Sequence, residues 1–137
     1  MDVVLAPDIY VNASVALGSP PERVVQRAFA APGKPKTSAW VMERVHSMLH
    51  ALPEFKDDAV ERQMKTIRGL VEVVEQGDHF IEDWIEALVA LAKAAGVGRV
   101  LTDHPDLLGS EDADGIEFVS SDRWLVEQAT PPPPPVV

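Results

Sequence analysis

The sequence predicts an α/β protein, a three-layer α/β/α sandwich whose central, mainly parallel sheet is covered by helices on both faces. Three observations lead there. Short β-branched apolar runs recur at VVLA (3–6), VEVVE (71–75), RVLT (99–102) and IEFVS (116–120), each of strand length and character. Segments of helical periodicity separate them, and such crossover connections make sheets parallel and buried on both faces. The apolar share of 46% and charged share of 25% over 137 residues suit one ordinary globular domain with one core.

Each element has its own signal. The first strand is stopped by Pro7 and Asp8. Ser19 and two prolines open an apolar-periodic stretch, SPPERVVQRAF (19–29), which reads as a helix start. APGKPK (31–36) is a loop by its glycine and prolines. A second helix runs from Thr37 or Ser38 to about Ala51, with Trp40, Val41, Val45, Met48 and Leu49 at helical spacing, and Pro53 breaks it. A third covers Asp57 to about Leu70, with Val60, Met64 and Ile67 on one face. The strongest pattern is HFIEDWIEALVALAKAAG, where Ile81, Trp84, Ile85, Leu88, Val89 and Ala92 form one stripe and Gly96 stands at the C-cap. A short helix near Asp122–Gln128 closes a domain of residues 1–128. Residues 129–137 form a proline-rich tail expected to be disordered.

Composition excludes several functions. The chain has no cysteine, which removes disulfides, thiol catalysis and cysteine-ligated metal centres. No apolar stretch approaches the roughly 18 residues of a membrane span, and MDVVLAPD lacks the basic start of a signal peptide. A cytoplasmic location and no membrane partner are the expectations. The net charge of −10 repels a nucleic-acid backbone overall, so any such contact must be local or bridged by cations. Elbow, dinucleotide and phosphate-loop motifs are absent. His46 and His50 are four apart on a helix but lack the glutamate of an HExxH pair, so a solvated helix face is expected. Met42, Met48 and Met64 read as core fillers, and Trp40, Trp84 and Trp124 as core or interface residues.

The chemistry gathers at two strand ends. Asp8 follows VVLA, and Asp103, His104 and Asp106 follow RVLT. In an open α/β sheet ligands bind beyond the carboxyl ends of the strands. If the two strands are neighbours, the carboxylates meet there and a hard divalent ion relieves their repulsion. The alternative is that these residues cap turns and helix starts.

VVLAPDIYVNASVALGSPPERVV, AAGVGRVLTDHPDLL and GIEFVSSDRWL, in that order, resemble the PIN domain family over nearly the whole chain up to about residue 128. The resemblance implies a metal-dependent endoribonuclease, of the kind that many bacterial members use as the toxin of a toxin–antitoxin pair. It implies Mg²⁺ or Mn²⁺ as cofactor, and RNA, an antitoxin-like protein and a second copy of the chain as partners. By motif position it assigns Asp8, Glu43, Glu86 and Asp106 as catalytic and metal-binding, with Glu82 as the alternative to Glu86. His104 stands where the family motif has an aspartate, and Ile9 and Tyr10 stand where it often has a Thr-Asn pair. A neutral histidine can ligate a metal but adds no negative charge, which weakens Mg²⁺ and favours Mn²⁺ or another transition ion. The same departures favour, as alternative, a catalytically degenerate PIN-like domain that binds protein or RNA.

Overall fold

The computed structural model describes residues 3–31, 33–75, 82–109 and 114–129. The expected helical lead-in at 79–81, Ile81 included, and the proline tail from 130 onward lie outside these residues. The chain is a mixed α/β protein, with seven helices and a small parallel sheet among the described residues.

The first strand, β1 (Val3–Leu5), is buried throughout. Helix α1 (Pro7–Val15) begins one residue later, because Pro7 at its first position lacks only an N–H that has no helical partner anyway. Helix α2 (Pro20–Ala30) is capped by Ser19, whose hydroxyl accepts from the N–H of Glu22. After β2 (Lys36–Thr37) comes α3 (Ala39–His50), capped by Ser38 at 3.2 Å from the N–H of Val41. Helix α4 (Asp57–Leu70) buries Val60, Met64 and Ile67, the face that the periodicity predicts. β3 (Glu72–Val73) follows. Helix α5 (Trp84–Ala95) is capped by Asp83 and ends at Gly96 in the left-handed conformation. The chain then runs through β4 (Arg99–Leu101), α6 (Pro105–Leu108), β5 (Glu117–Val119) and α7 (Ser121–Ala129).

The three buried strands form one parallel sheet in the order β1-β4-β5. Val4 is opposite Val100, and Val100 is opposite Phe118. The ladder continues one residue past the strands: Ala6 N–H donates to the Leu101 carbonyl at 2.9 Å, and Thr102 N–H to the Val119 carbonyl at 3.0 Å. The carboxyl ends of all three strands therefore finish at the same edge. Helix α5 packs on β1 and β4, while α1 packs on α2 and α3. The buried apolar side chains make one core, in which Trp40, Ile9, Tyr10, Leu49, Leu88 and Leu101 are fully covered.

The valine-rich segment VEVVE does not join this sheet. Its two strand residues pair in parallel with β2, through Lys36–Glu72 and Thr37–Val73, and both are exposed. A strand inside a parallel sheet is buried on both faces, and a segment carrying Glu72 and Glu75 cannot be. α6 resolves the choice between a turn and a helix start in favour of the helix, which at four residues is too short to show a period.

Candidate functional site

Asp8 sits at the second position of α1, just beyond the end of β1, and is 7% exposed. Its Oδ1 accepts from the Thr102 hydroxyl at 2.8 Å, and its Oδ2 from the backbone N–H of Asp103 at 2.8 Å. Both partners belong to the chain just beyond β4, so the pairing of β1 with β4 fixes the contact. Burial pushes the Asp8 carboxyl above its ordinary value; the N–H of Asp103 and the hydroxyl of Thr102 pull it back, and the Asp103 carboxylate adds to the upward push. Among the described residues no lysine or arginine is paired with Asp8.

Asp103 links the edge to β5. Its Oδ1 accepts from the backbone N–H of Ser121 at 2.8 Å, and its Oδ2 from the Ser121 hydroxyl at 2.5 Å. Three strand ends are thus tied in sequence: Asp8 to Thr102 and Asp103, then Asp103 to Ser121. The Thr102 hydroxyl, itself fully buried, also accepts from the His104 N–H at 3.1 Å.

His104 caps α6, its Nδ1 accepting from the N–H of Asp106 at 3.2 Å. With Nδ1 an acceptor, the neutral ring carries its proton on Nε2 and presents a donor outward. His104 and Asp106 are exposed, and with Trp84 and Leu107 they line an open hollow of about 260 Å³.

Glu43 is an exposed residue of α3 with Arg44 at 3.4 Å. Glu86 is exposed on α5 and lines a different hollow, of about 390 Å³, together with Asp83, Lys93 and Asp114. Glu82 is likewise exposed. Of the expected set, His104 and Asp106 share one hollow, and Asp8 meets Asp103. Asp8, Glu43, Glu86, His104 and Asp106 supply no trio of ligand atoms within 4.8 Å of one another. Ile9 and Tyr10 are buried in the core, and Asn12 is exposed.

Thr102 and Ser121 escape the sequence reading. Each is a small hydroxyl residue at a strand end, with no spacing that marks it, and only the order of the strands brings them to Asp8 and Asp103. The pair Asp8 and Asp103 is chemically suited to a hard divalent ion. Mg²⁺ is commonly held by one or two carboxylates with water completing its shell, and each oxygen keeps a second lone pair beside the one already used. No protein-family model matches this chain, and no curated protein or solved structure is significantly similar to it.

Proposed function

We propose that the chain is a PIN-like domain of three-layer α/β/α architecture, acting as a divalent-cation-dependent endoribonuclease at the carboxyl edge of its sheet. The observation that carries this reading is Asp8: a buried carboxylate on which the charge of Asp103 also acts, with no cationic side chain paired to it among the described residues. The Thr102 and Asp103 hydrogen bonds offset part of the cost of an ionised carboxylate there; a cation shared with Asp103 would offset the rest. Asp8 and Asp103 would hold Mg²⁺ or Mn²⁺. Such an ion supplies charge neutralisation at a phosphodiester and lowers the proton affinity of a hydrolytic water.

The chain's own residues have separate tasks. Thr102 and the N–H of Asp103 hold the Asp8 carboxylate in place, and Ser121 holds that of Asp103. His104 would donate a hydrogen bond from Nε2 to a phosphate rather than ligate the metal, since its Nδ1 is engaged in capping. The Trp84 ring in the same hollow is a stacking surface for an unpaired base, which suits single-stranded RNA. Glu43 and Glu86 are assigned to the site by resemblance alone. An antitoxin-like partner covering the edge is assigned by resemblance alone.

A second reading, a degenerate domain that binds RNA or protein without cleaving, is favoured by a different observation. Both oxygens of Asp8 and both of Asp103 already accept protein hydrogen bonds. The two readings separate in one assay: purified protein with a single-stranded RNA pool in Mg²⁺, Mn²⁺ or chelator, beside Asp8→Asn. The nuclease reading expects cleavage that needs metal and is lost in the variant. RNA retention without cleavage, from folded protein with either ion, replaces it with the binding reading.

A further inference from the structure

We infer that His46, His50 and Glu61 form a transition-metal site that staples α3 to α4, with Zn²⁺ as its ion. His46 and His50 are four apart on α3 and therefore share one face of the helix. Glu61 reaches the same point from α4. The Nε2 of His46 is 2.7 Å from the Glu61 Oε1, and the Nε2 of His50 is 3.2 Å from that of His46 and 3.8 Å from the Glu61 Oε1. A tetrahedral ion with bonds of about 2.0–2.1 Å sets its ligand atoms about 3.3–3.4 Å apart, and the three separations bracket that spacing.

A further carboxylate faces the outer nitrogen of His50. The other ring nitrogen of His50, Nδ1, faces the Asp57 carboxylate at 3.4 Å. A proton on Nδ1 would face that carboxylate and leave the Nε2 lone pair toward His46 and Glu61, the carboxylate–histidine–metal arrangement. The two imidazoles stand edge to face, with centroids 4.5 Å apart. Two nitrogens and one carboxylate oxygen converge there, and a cation would satisfy a lone pair on each. Arg68 is the basic group near Glu61.

Two histidines and one carboxylate select Zn²⁺-type ions over Mg²⁺, which prefers an all-oxygen shell. The three protein ligands leave a fourth position open to water. Because His46 and His50 lie on α3 and Glu61 on α4, binding ties the two helices together across the 51–56 connection. The site shares no residue with the sheet edge and does not depend on the nuclease reading.

The test is Zn²⁺ titration of the tag-free full chain by calorimetry and by competition with a chromophoric chelator, with thermal melting as a second readout. We expect one ion per chain, a melting temperature raised by Zn²⁺, and no competition from Mg²⁺. His50→Ala and the near-isosteric Glu61→Gln should each abolish binding at a Zn²⁺ concentration that saturates the native chain. Asp57→Asn should weaken it about 10–100-fold. Asp8→Asn should bind as the native chain does. Absence of Zn²⁺ binding by folded native protein overturns the site, as does binding that survives both His50→Ala and Glu61→Gln.

Discussion

Thr102 has two partners and no exposure: its hydroxyl donates to Asp8 and accepts from the His104 N–H. Replacing it with the near-isosteric valine leaves the buried Asp8 Oδ1 without this donor and the partly buried His104 N–H without this acceptor. Thr102→Val is therefore expected to destabilise the protein by about 1–3 kcal/mol, measured by urea unfolding. It also removes a bond that favours the ionised form of Asp8, so the Asp8 carboxyl rises further. The same threonine shows how the site escapes notice in one dimension. Ninety-four residues separate it from Asp8, and its neighbours in sequence look like an ordinary strand end. Asp103 does stand out by charge. Its role in holding Ser121 does not, because nothing local says that β5 lies next to β4.

At the scale of the element, the helices are held by caps that the sequence states openly. Ser19, Ser38 and Gly96 stand where hydroxyl N-caps and a glycine C-cap are expected. Gly96 has φ of 72°, and its successor Val97 donates to the Ala92 carbonyl at 2.9 Å, closing the last turn of α5. An added Cβ would meet nothing within 4 Å, so the cost of Gly96→Ala is that of the left-handed backbone alone. The expected destabilisation is about 1–2 kcal/mol, with the melting transition staying cooperative. A smaller loss would mean that the turn relaxes to another conformation. The segment VEVVE illustrates the opposite case. Its alternation is a true strand signal, yet which sheet a strand joins depends on what its charged residues can tolerate. β3 consequently pairs with β2 at the surface.

At the scale of the molecule, α7 is fastened to the sheet by charge as well as by Trp124 and Leu125 in the core. Arg99 of β4 reaches Glu127 at 2.7 Å, and Arg123 reaches both Glu117 at 3.0 Å and Glu127 at 3.3 Å. The Arg99 hydrogen bond holds the Glu127 carboxyl below its ordinary value, and the charges of Arg99 and Arg123 act in the same direction. A carboxylate with a depressed folded value contributes stability above its unfolded value and loses it as pH falls through the folded one. The melting temperature of the native chain should thus fall on acidification below the ordinary glutamate range. Glu127→Gln should flatten that fall while changing little at low pH, where both side chains are neutral. Because the network is exposed, the difference is expected to be small and to shrink with salt. An equal pH slope in the two proteins would count against the network. Among the described residues no helix is long and apolar enough to cross a membrane.

The sequence by itself marked α2, α3, α4, α5 and α7, the caps at Ser19, Ser38 and Gly96, and the strands of the central sheet, because those depend on the spacing of apolar residues and on local backbone preferences; it did not mark α1 or α6. It also marked Asp8 and Asp103 as carboxylates at strand ends. Only the tertiary structure decided that β1, β4 and β5 lie side by side, and so that Asp8, Thr102, Asp103 and Ser121 make one connected edge. Only the packing of α3 on α4 sets Glu61 against His46 and His50, two histidines that in sequence look like a solvated face. The physical reason is common to both. Spacing along the chain records what one element does with its own side chains, whereas a site is made where two elements meet, and burial of the whole core chooses those meetings.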